Sequence, residues 1–217
     1  YTLSLHDALP IYWRADRLKR LQMGILDGLH KAGWTHTEIL IETEAHLKED
    51  SEGVAFLGQC DRIEILRAPD GRRTAFIVDY KTGKGENSDD KTAIASYWWS
   101  DDDHKEFARG LQLSVYAAMF KRCDLAGVYI LGLEDGKVSG TITEPAQSIF
   151  QPYASKKFDG DITARIHEGE YAMECAVKVL GRGEFSPEYS CDLCQWCKVK
   201  SLCRKGEFKG EVMADSD

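Results

Sequence analysis

The pattern of apolar and polar residues predicts helices and strands in the order of a mixed α/β protein. Apolar residues recur at helical spacing from Trp13 to Leu29, and Gly33 follows as a stop signal. Alternation with a period of two predicts three strands, at 37–47, 53–68 and 73–83. The remaining elements are a helix at 105–122, a hairpin at 126–143 and a helix at 161–183. We therefore predict a central mixed sheet, an antiparallel meander plus further strands, flanked by helices.

Composition and charge narrow the class of protein. The chain has 217 residues, of which 43% are hydrophobic and 29% charged, as in a single globular domain with a core. It contains no apolar run of about 20 residues and no secretory signal, so we predict a cytoplasmic protein. The net charge of −8 argues against a non-specific nucleic-acid coat protein but leaves room for local basic contacts.

The two ends of the chain differ from the middle in composition. Residues 1–11 have no initiator methionine and no clear periodicity, so we interpret them as a non-native leader. Residues 206–217 read as a charged tail. The prediction is thus one folded domain over residues 12–205.

The third strand carries an acid and a base in the segment "IVDYKTGK". Because side chains alternate along a strand, Asp79 and Lys81 share one face and Tyr80 points to the other. Asp61 lies on the preceding strand, in "GQCDRIE". Two carboxylates can hold a divalent cation, and a lysine can orient water and neutralise charge on a phosphate, so these residues suit phosphodiester hydrolysis. A solvated ion pair at a strand end is the alternative.

The register between these strands tests the idea. A two-residue loop at Asp70 and Gly71 would place Asp61 opposite Tyr80, on the wrong face. A three-residue loop or a bulge would shift Asp61 to Asp79 or Lys81. We therefore predict an odd-length turn or a bulge between Asp61 and Asp79.

A family resemblance supports hydrolysis over the ion pair. The segments "GQCDRIE", "IVDYKTGK" and "LQLSVYAAMF", followed by a cysteine cluster, occur in an order that resembles the RecB-type branch of the PD-(D/E)XK nuclease superfamily. Within that branch the chain is most similar to the C-terminal nuclease domain of AddB-like helicase–nuclease subunits. The resemblance covers about residues 13–205 and implies a restriction-endonuclease-like core.

The resemblance also implies roles for individual residues. Asp61 and Asp79 would bind Mg²⁺ or Mn²⁺, and Lys81 would be the catalytic lysine. Gln112 and Tyr116 match the family motif Q-x-x-x-Y, and their i, i+4 spacing places them on one face of a helix. All five are candidate catalytic residues.

The implied function is a divalent-metal-dependent DNA nuclease acting on single-stranded ends as an exonuclease. It would belong to a recombinational repair helicase–nuclease and work with a partner subunit. The family usually supplies another His or Glu ligand from an upstream helix, and nothing here matches it well; Glu42 and Glu44 are weak substitutes. A non-catalytic DNA-binding or assembly module therefore remains the alternative.

Cysteine spacing predicts a second metal site. Four cysteines fall within 13 residues: Cys191, Cys194, Cys197 and Cys203. Four thiolates suit either a [4Fe–4S] cluster or zinc, and the resemblance favours iron–sulfur. In the family the fourth cysteine lies far upstream, and Cys191 could take its place here. Three other cysteines lie inside predicted elements and read as core residues: Cys60, Cys123 and Cys175.

Overall fold

The computed structural model describes residues 5–41, 46–51, 53–81, 111–154 and 156–182. The helices are α1 Leu5–Lys31, α2 Leu111–Met119, α3 Gln147–Phe150 and α4 Ile162–Arg182, with a 3₁₀ turn at Gln151–Tyr153. The strands are β1 Thr35–Ile41, β2 His46–Ser51, β3 Val54–Gln59, β4 Arg62–Arg67, β5 Arg73–Lys81, β6 Asp124–Gly132 and β7 Val138–Ile142. Among the helices described, none is long and apolar enough to cross a membrane.

The chain divides into two compact units, Tyr1–Val177 and Lys178–Asp217. Every described strand belongs to the first unit. In the second unit, the described part is the last turn of α4. The predicted cysteine cluster and charged tail lie outside the described residues.

A five-stranded mixed sheet with the order β1-β4-β5-β6-β7 forms the centre of the first unit. Neighbouring strands are antiparallel except β5 and β6, which are parallel. Helix α2 lies between β5 and β6 in the sequence, and parallel neighbours require such a crossover. The predicted α/β class with a mixed sheet flanked by helices is confirmed, as are the hairpin of β6 and β7 and the helix α4.

The predicted antiparallel meander is confirmed by β1, β4 and β5, but the prediction of its first two segments as single strands is wrong. The segment 37–47 contributes to two strands, β1 and β2, and 53–68 contains two more, β3 and β4. Strands β2 and β3 pair with each other in a separate two-stranded sheet, so that β1 lies directly beside β4. The break falls at Cys60 and Asp61, where the Tyr80 amide donates to the Asp61 side chain.

Apolar side chains cover both faces of the sheet, which explains the nearly continuous apolar sequence of β5 and β6. The first face packs against α1 and α3 through residues that include Leu21, Ile25, Phe76, Val78, Tyr129 and Phe150. The second face packs against α2 and α4 through residues that include Ile63, Ile65, Ile77, Leu113, Ile130 and Met173. Odd-numbered positions of β5, including 79 and 81, therefore face α2.

Candidate active site

The turn between β4 and β5 sets the register of the two predicted acids. Residues 69–71 form a three-residue loop, in which the Ala68 amide donates to the Arg72 carbonyl over 2.8 Å and Gly71 has a φ of +85°. The positive φ is a conformation that glycine adopts without steric cost. Arg62 is then paired with Val78, so that Asp61 lies across from Asp79 one step further along. The predicted odd-length turn is confirmed.

Asp61 is the residue immediately before β4, at the end of the ladder. Its Oδ2 accepts a hydrogen bond of 2.6 Å from the backbone amide of Tyr80. Tyr80 stands between Asp79 and Lys81 in β5. The first acid is thereby tied to the backbone that carries the second acid and the lysine.

Lys81 is held by two oxygens on the α2 side of the sheet. Its Nζ lies 2.7 Å from Asp79 Oδ2 and donates to Gln112 Oε1 over 2.7 Å. The Gln112 amide nitrogen in turn donates to Asp79 Oδ1 at 3.0 Å and to the Tyr116 hydroxyl at 2.9 Å. Both ends of the glutamine amide are engaged, which fixes its orientation relative to the acid and the lysine.

Tyr116 connects this network to the β2–β3 sheet, an arrangement that sequence reasoning missed. Its hydroxyl donates to the carbonyl of Gln59 over 2.9 Å. A Cβ placed on Gly58 would lie 3.3 Å from the Tyr116 ring, so only glycine leaves the strand this close without adjustment. A glycine within a strand pattern is a signal for close backbone approach, and Gly58 in "LGQCD" was the available clue.

The site combines two acids with one lysine, and the Asp79 side chain within it is buried. Burial raises the pKa of Asp79, and the charge of Asp61 raises it further, while Lys81 and Gln112 act in the opposite direction. Burial together with the charges of Asp79 and Asp61 raises the pKa of Cys60 to about 12. Burial also raises the pKa of Tyr116. A bound cation would relieve this repulsion.

The residues present fit a divalent cation held by two carboxylates. Asp79 is buried, and its carboxylate oxygens are contacted by Lys81 Nζ, 2.7 Å from Oδ2, and by the Gln112 amide nitrogen, 3.0 Å from Oδ1. Carboxylate oxygens are the ligands that Mg²⁺ prefers, and Mg²⁺ keeps several waters rather than demanding an all-protein cage. Within the described ranges no group of three or more His, Cys, Asp or Glu side chains could form such a cage.

The other predicted metal-binding residues are not among the residues that the structure describes. Glu42 and Glu44 lie outside the described residues, as do the four clustered cysteines listed above. Of the three cysteines predicted in the core, Cys60 and Cys175 are buried and Cys123 is half-buried.

The fold thus brings together two acids and a lysine in the order D…D-x-K, with a glutamine and a tyrosine from α2. The first acid directly precedes β4, and the second acid and the lysine lie on the neighbouring strand β5. A family model described as the PD-(D/E)XK nuclease superfamily matches residues 3–204. The chain belongs to the PD-(D/E)XK nuclease superfamily. Proteins of this superfamily are typically nucleases and generally use divalent metals such as Mg²⁺ or Mn²⁺. Among curated proteins, none matches this PD-(D/E)XK chain.

Proposed function

We propose that this PD-(D/E)XK protein is a divalent-metal-dependent deoxyribonuclease with its active site at Asp61, Asp79 and Lys81. The observation that carries the proposal is the position of the Lys81 ammonium, which lies 2.7 Å from the buried Asp79 carboxylate and 2.7 Å from Gln112 Oε1. A solvated ion pair at a strand end would require neither a buried acid nor a glutamine side chain that contacts both the acid and the lysine.

Asp61 and Asp79 are the residues that would hold Mg²⁺ or Mn²⁺. When bound, the metal supplies a Lewis acid for a phosphoryl oxygen and lowers the pKa of a bound water. Lys81 is aimed by its two contacts, so its ammonium can orient the attacking water and offset charge that develops on the phosphate in the transition state. Burial of Asp79 strengthens these electrostatic interactions, because the local dielectric is low.

Gln112 and Tyr116 act as positioning residues in this scheme. The Gln112 amide bridges the lysine and the acid, and the Tyr116 hydroxyl holds that amide while bonded to the Gln59 carbonyl. Loss of either side chain leaves Asp79 and Lys81 in place but frees their rotamers. Catalytic groups must be held within about 0.5 Å of the productive geometry, so such freedom lowers the rate.

The order of the motifs supports a more specific proposal. The match to the RecB-type, AddB-like pattern leads us to propose an exonuclease on single-stranded ends within a recombinational repair helicase–nuclease of the cytoplasm, working with a partner subunit. Cys191, Cys194, Cys197 and Cys203 would hold a [4Fe–4S] cluster. Absorbance at about 400 nm with bound iron supports the cluster, whereas a colourless protein with stoichiometric zinc supports a zinc site.

A cleavage assay tests the nuclease proposal. Purified protein is incubated with end-labelled single-stranded DNA in Mg²⁺, in Mn²⁺ and in EDTA, and compared with Asp79→Ala and Lys81→Met. We expect metal-dependent cleavage that each substitution lowers by roughly 100-fold or more. Asp124→Ala is the matched control, because Asp124 is an exposed acid at the opposite end of the sheet. Cleavage that survives Asp79→Ala would refute the assignment.

The absence of a third acidic or histidine ligand within the described ranges favours one other candidate, a DNA-binding or assembly module without catalysis. Its signature is binding of single-stranded DNA with no cleavage in either metal. Fluorescence anisotropy on the same oligonucleotide, run beside the cleavage assay, separates the two. A nuclease loses cleavage in Asp79→Ala, whereas a binding module cleaves nothing and keeps its affinity for DNA in that variant.

A further inference from the structure

A buried ionic layer lies directly behind the proposed active site, on the α1 side of the sheet. Arg62 and Glu64 of β4 point to this side, and Arg62 Nε lies 2.9 Å from Glu64 Oε1. Their side chains are 15% and 4% exposed. His36 Nε2 lies 3.3 Å from the other Glu64 oxygen, and the buried Tyr129 also interacts with Arg62. Buried charges carry a large desolvation penalty, so a layer of this kind calls for an explanation beyond packing.

Tyr80 joins this layer to the active site. The Arg62 guanidinium carbon lies 5.4 Å from the centre of the Tyr80 ring, and Gln22 of α1 donates to the Tyr80 hydroxyl over 2.7 Å. The backbone amide of the same residue donates to Asp61 Oδ2. The Tyr80 side chain is therefore held by Arg62 and Gln22 on one face of the sheet, while its backbone amide fixes the orientation of Asp61.

The residues that connect the ionic layer to the active site are neighbours in the sequence. Arg62 follows Asp61 directly, and Tyr80 separates Asp79 from Lys81. The contact with Arg62 and the hydrogen bond from Gln22 therefore restrain a side chain whose own backbone amide holds Asp61. The guanidinium is planar and stacks on a ring while pairing with a carboxylate, which a lysine ammonium cannot reproduce.

We propose that Arg62 is a positioning residue that sets the geometry of the metal-binding acids by clamping Tyr80 from the opposite face of the sheet. The inference rests on the proposed nuclease function and deepens it. Arg62 touches neither substrate nor metal in this scheme. It acts through the Tyr80 amide, which holds Asp61, and through the strand segment that carries Asp79 and Lys81.

The test compares Arg62→Lys and Tyr80→Leu with Leu66→Ala. Leu66 is a buried residue of the same strand and the same face, far from the site, so it reports a general loss of stability. Three quantities are measured: hydrogen exchange of the Tyr80 amide by NMR, Mn²⁺ affinity by titration, and cleavage rate at saturating and limiting Mg²⁺. Activities are compared per folded molecule, from thermal denaturation of each variant.

We expect Arg62→Lys and Tyr80→Leu to speed exchange of the Tyr80 amide by about tenfold or more and to weaken Mn²⁺ affinity several-fold. The cleavage loss should be partly recovered at high Mg²⁺. Leu66→Ala should lower the melting temperature without these local changes. If all three variants behave alike, Arg62 is merely structural and the inference is overturned. If wild-type protein binds no divalent cation and cleaves no DNA, the proposed function itself fails, and the inference fails with it.

Discussion

Gly169 of α4 offers the sharpest test of how the site is held together. A Cβ at this position would lie 2.0 Å from the backbone oxygen of Ser114 in α2, 2.5 Å from its carbonyl carbon and 2.9 Å from Ala118 Cβ. The obstacle is backbone, so it cannot be relieved by rotating a side chain. Gly169→Ala must therefore push the two helices apart.

The size of the effect follows from that distance. Reaching the ordinary contact distance of 3.4 Å requires a displacement of about 1.4 Å. Overpacking of this kind costs about 1–3 kcal/mol, and the helix propensity of alanine returns about 0.5–1 kcal/mol. We expect a net destabilisation of roughly 1–2 kcal/mol, a fall in melting temperature of about 2–8 °C for a chain of this length.

Activity should fall more than stability. Helix α2 carries Gln112 and Tyr116, and a misplacement of about 1 Å can cost roughly 100-fold in rate. Chemical denaturation and DNA cleavage are measured together. Gly181→Ala is the matched control in the same helix, because no atom of the described residues lies within 4 Å of its added Cβ, and it should leave both quantities near wild type or slightly raise stability. A Gly169→Ala protein as stable and as active as wild type would refute this account of α2 placement.

Three further predictions concern ionisation and reactivity. Because the pKa of Asp79 is raised in the folded state, its protonation favours folding fully below the ordinary value of 3.8, and this contribution is lost as pH rises through the raised pKa. Asp79→Asn should therefore melt at a higher temperature than wild type at about pH 7 and lose that advantage at about pH 3; a lower melting temperature at pH 7 would contradict the assignment. At limiting Mg²⁺ the cleavage rate should decline on acidification at a pH above 3.8, because protonation of Asp79 competes with binding of the cation, and a pH–rate profile that is flat down to that value would argue against Asp79 as a ligand. Cys60, buried and with its pKa raised to about 12, should resist iodoacetamide at about pH 8 in native protein but react in urea, which peptide mass spectrometry can check; rapid native labelling would show the site to be open.

Sequence patterns predicted the elements whose boundaries carry clear signals. Gly33 ends α1, the "PDG" turn fixes the register of β4 with β5, and the parity of β5 places Asp79 and Lys81 on one face. Each of these features depends on the residues of a single segment, so the sequence of that segment was sufficient to predict it.

The features missed depend on contacts between distant segments. Neither Cys60 nor Asp61 is a Gly or Pro that would signal a turn, so the break between β3 and β4 was not predicted. The β2–β3 sheet was missed for the same reason. The hydrogen bond of Lys81 with Gln112 joins residues 31 positions apart. The contact of Arg62 with Tyr80 joins residues 18 positions apart. Periodicity shows which face a side chain occupies but not which partner it meets there.

The parallel pairing of β5 with β6 has a consequence for how the protein folds. It joins residues fifty positions apart, such as Thr74 and Asp124, and the helix bearing Gln112 lies within the closed segment. Long-range pairings of this kind lose loop-closure entropy before the stabilising contacts form, so they form slowly. The contact of Gln112 with Lys81 therefore depends on a long-range pairing that requires the chain as far as β6, and a molecule in which β5 and β6 have not paired lacks the proposed active site.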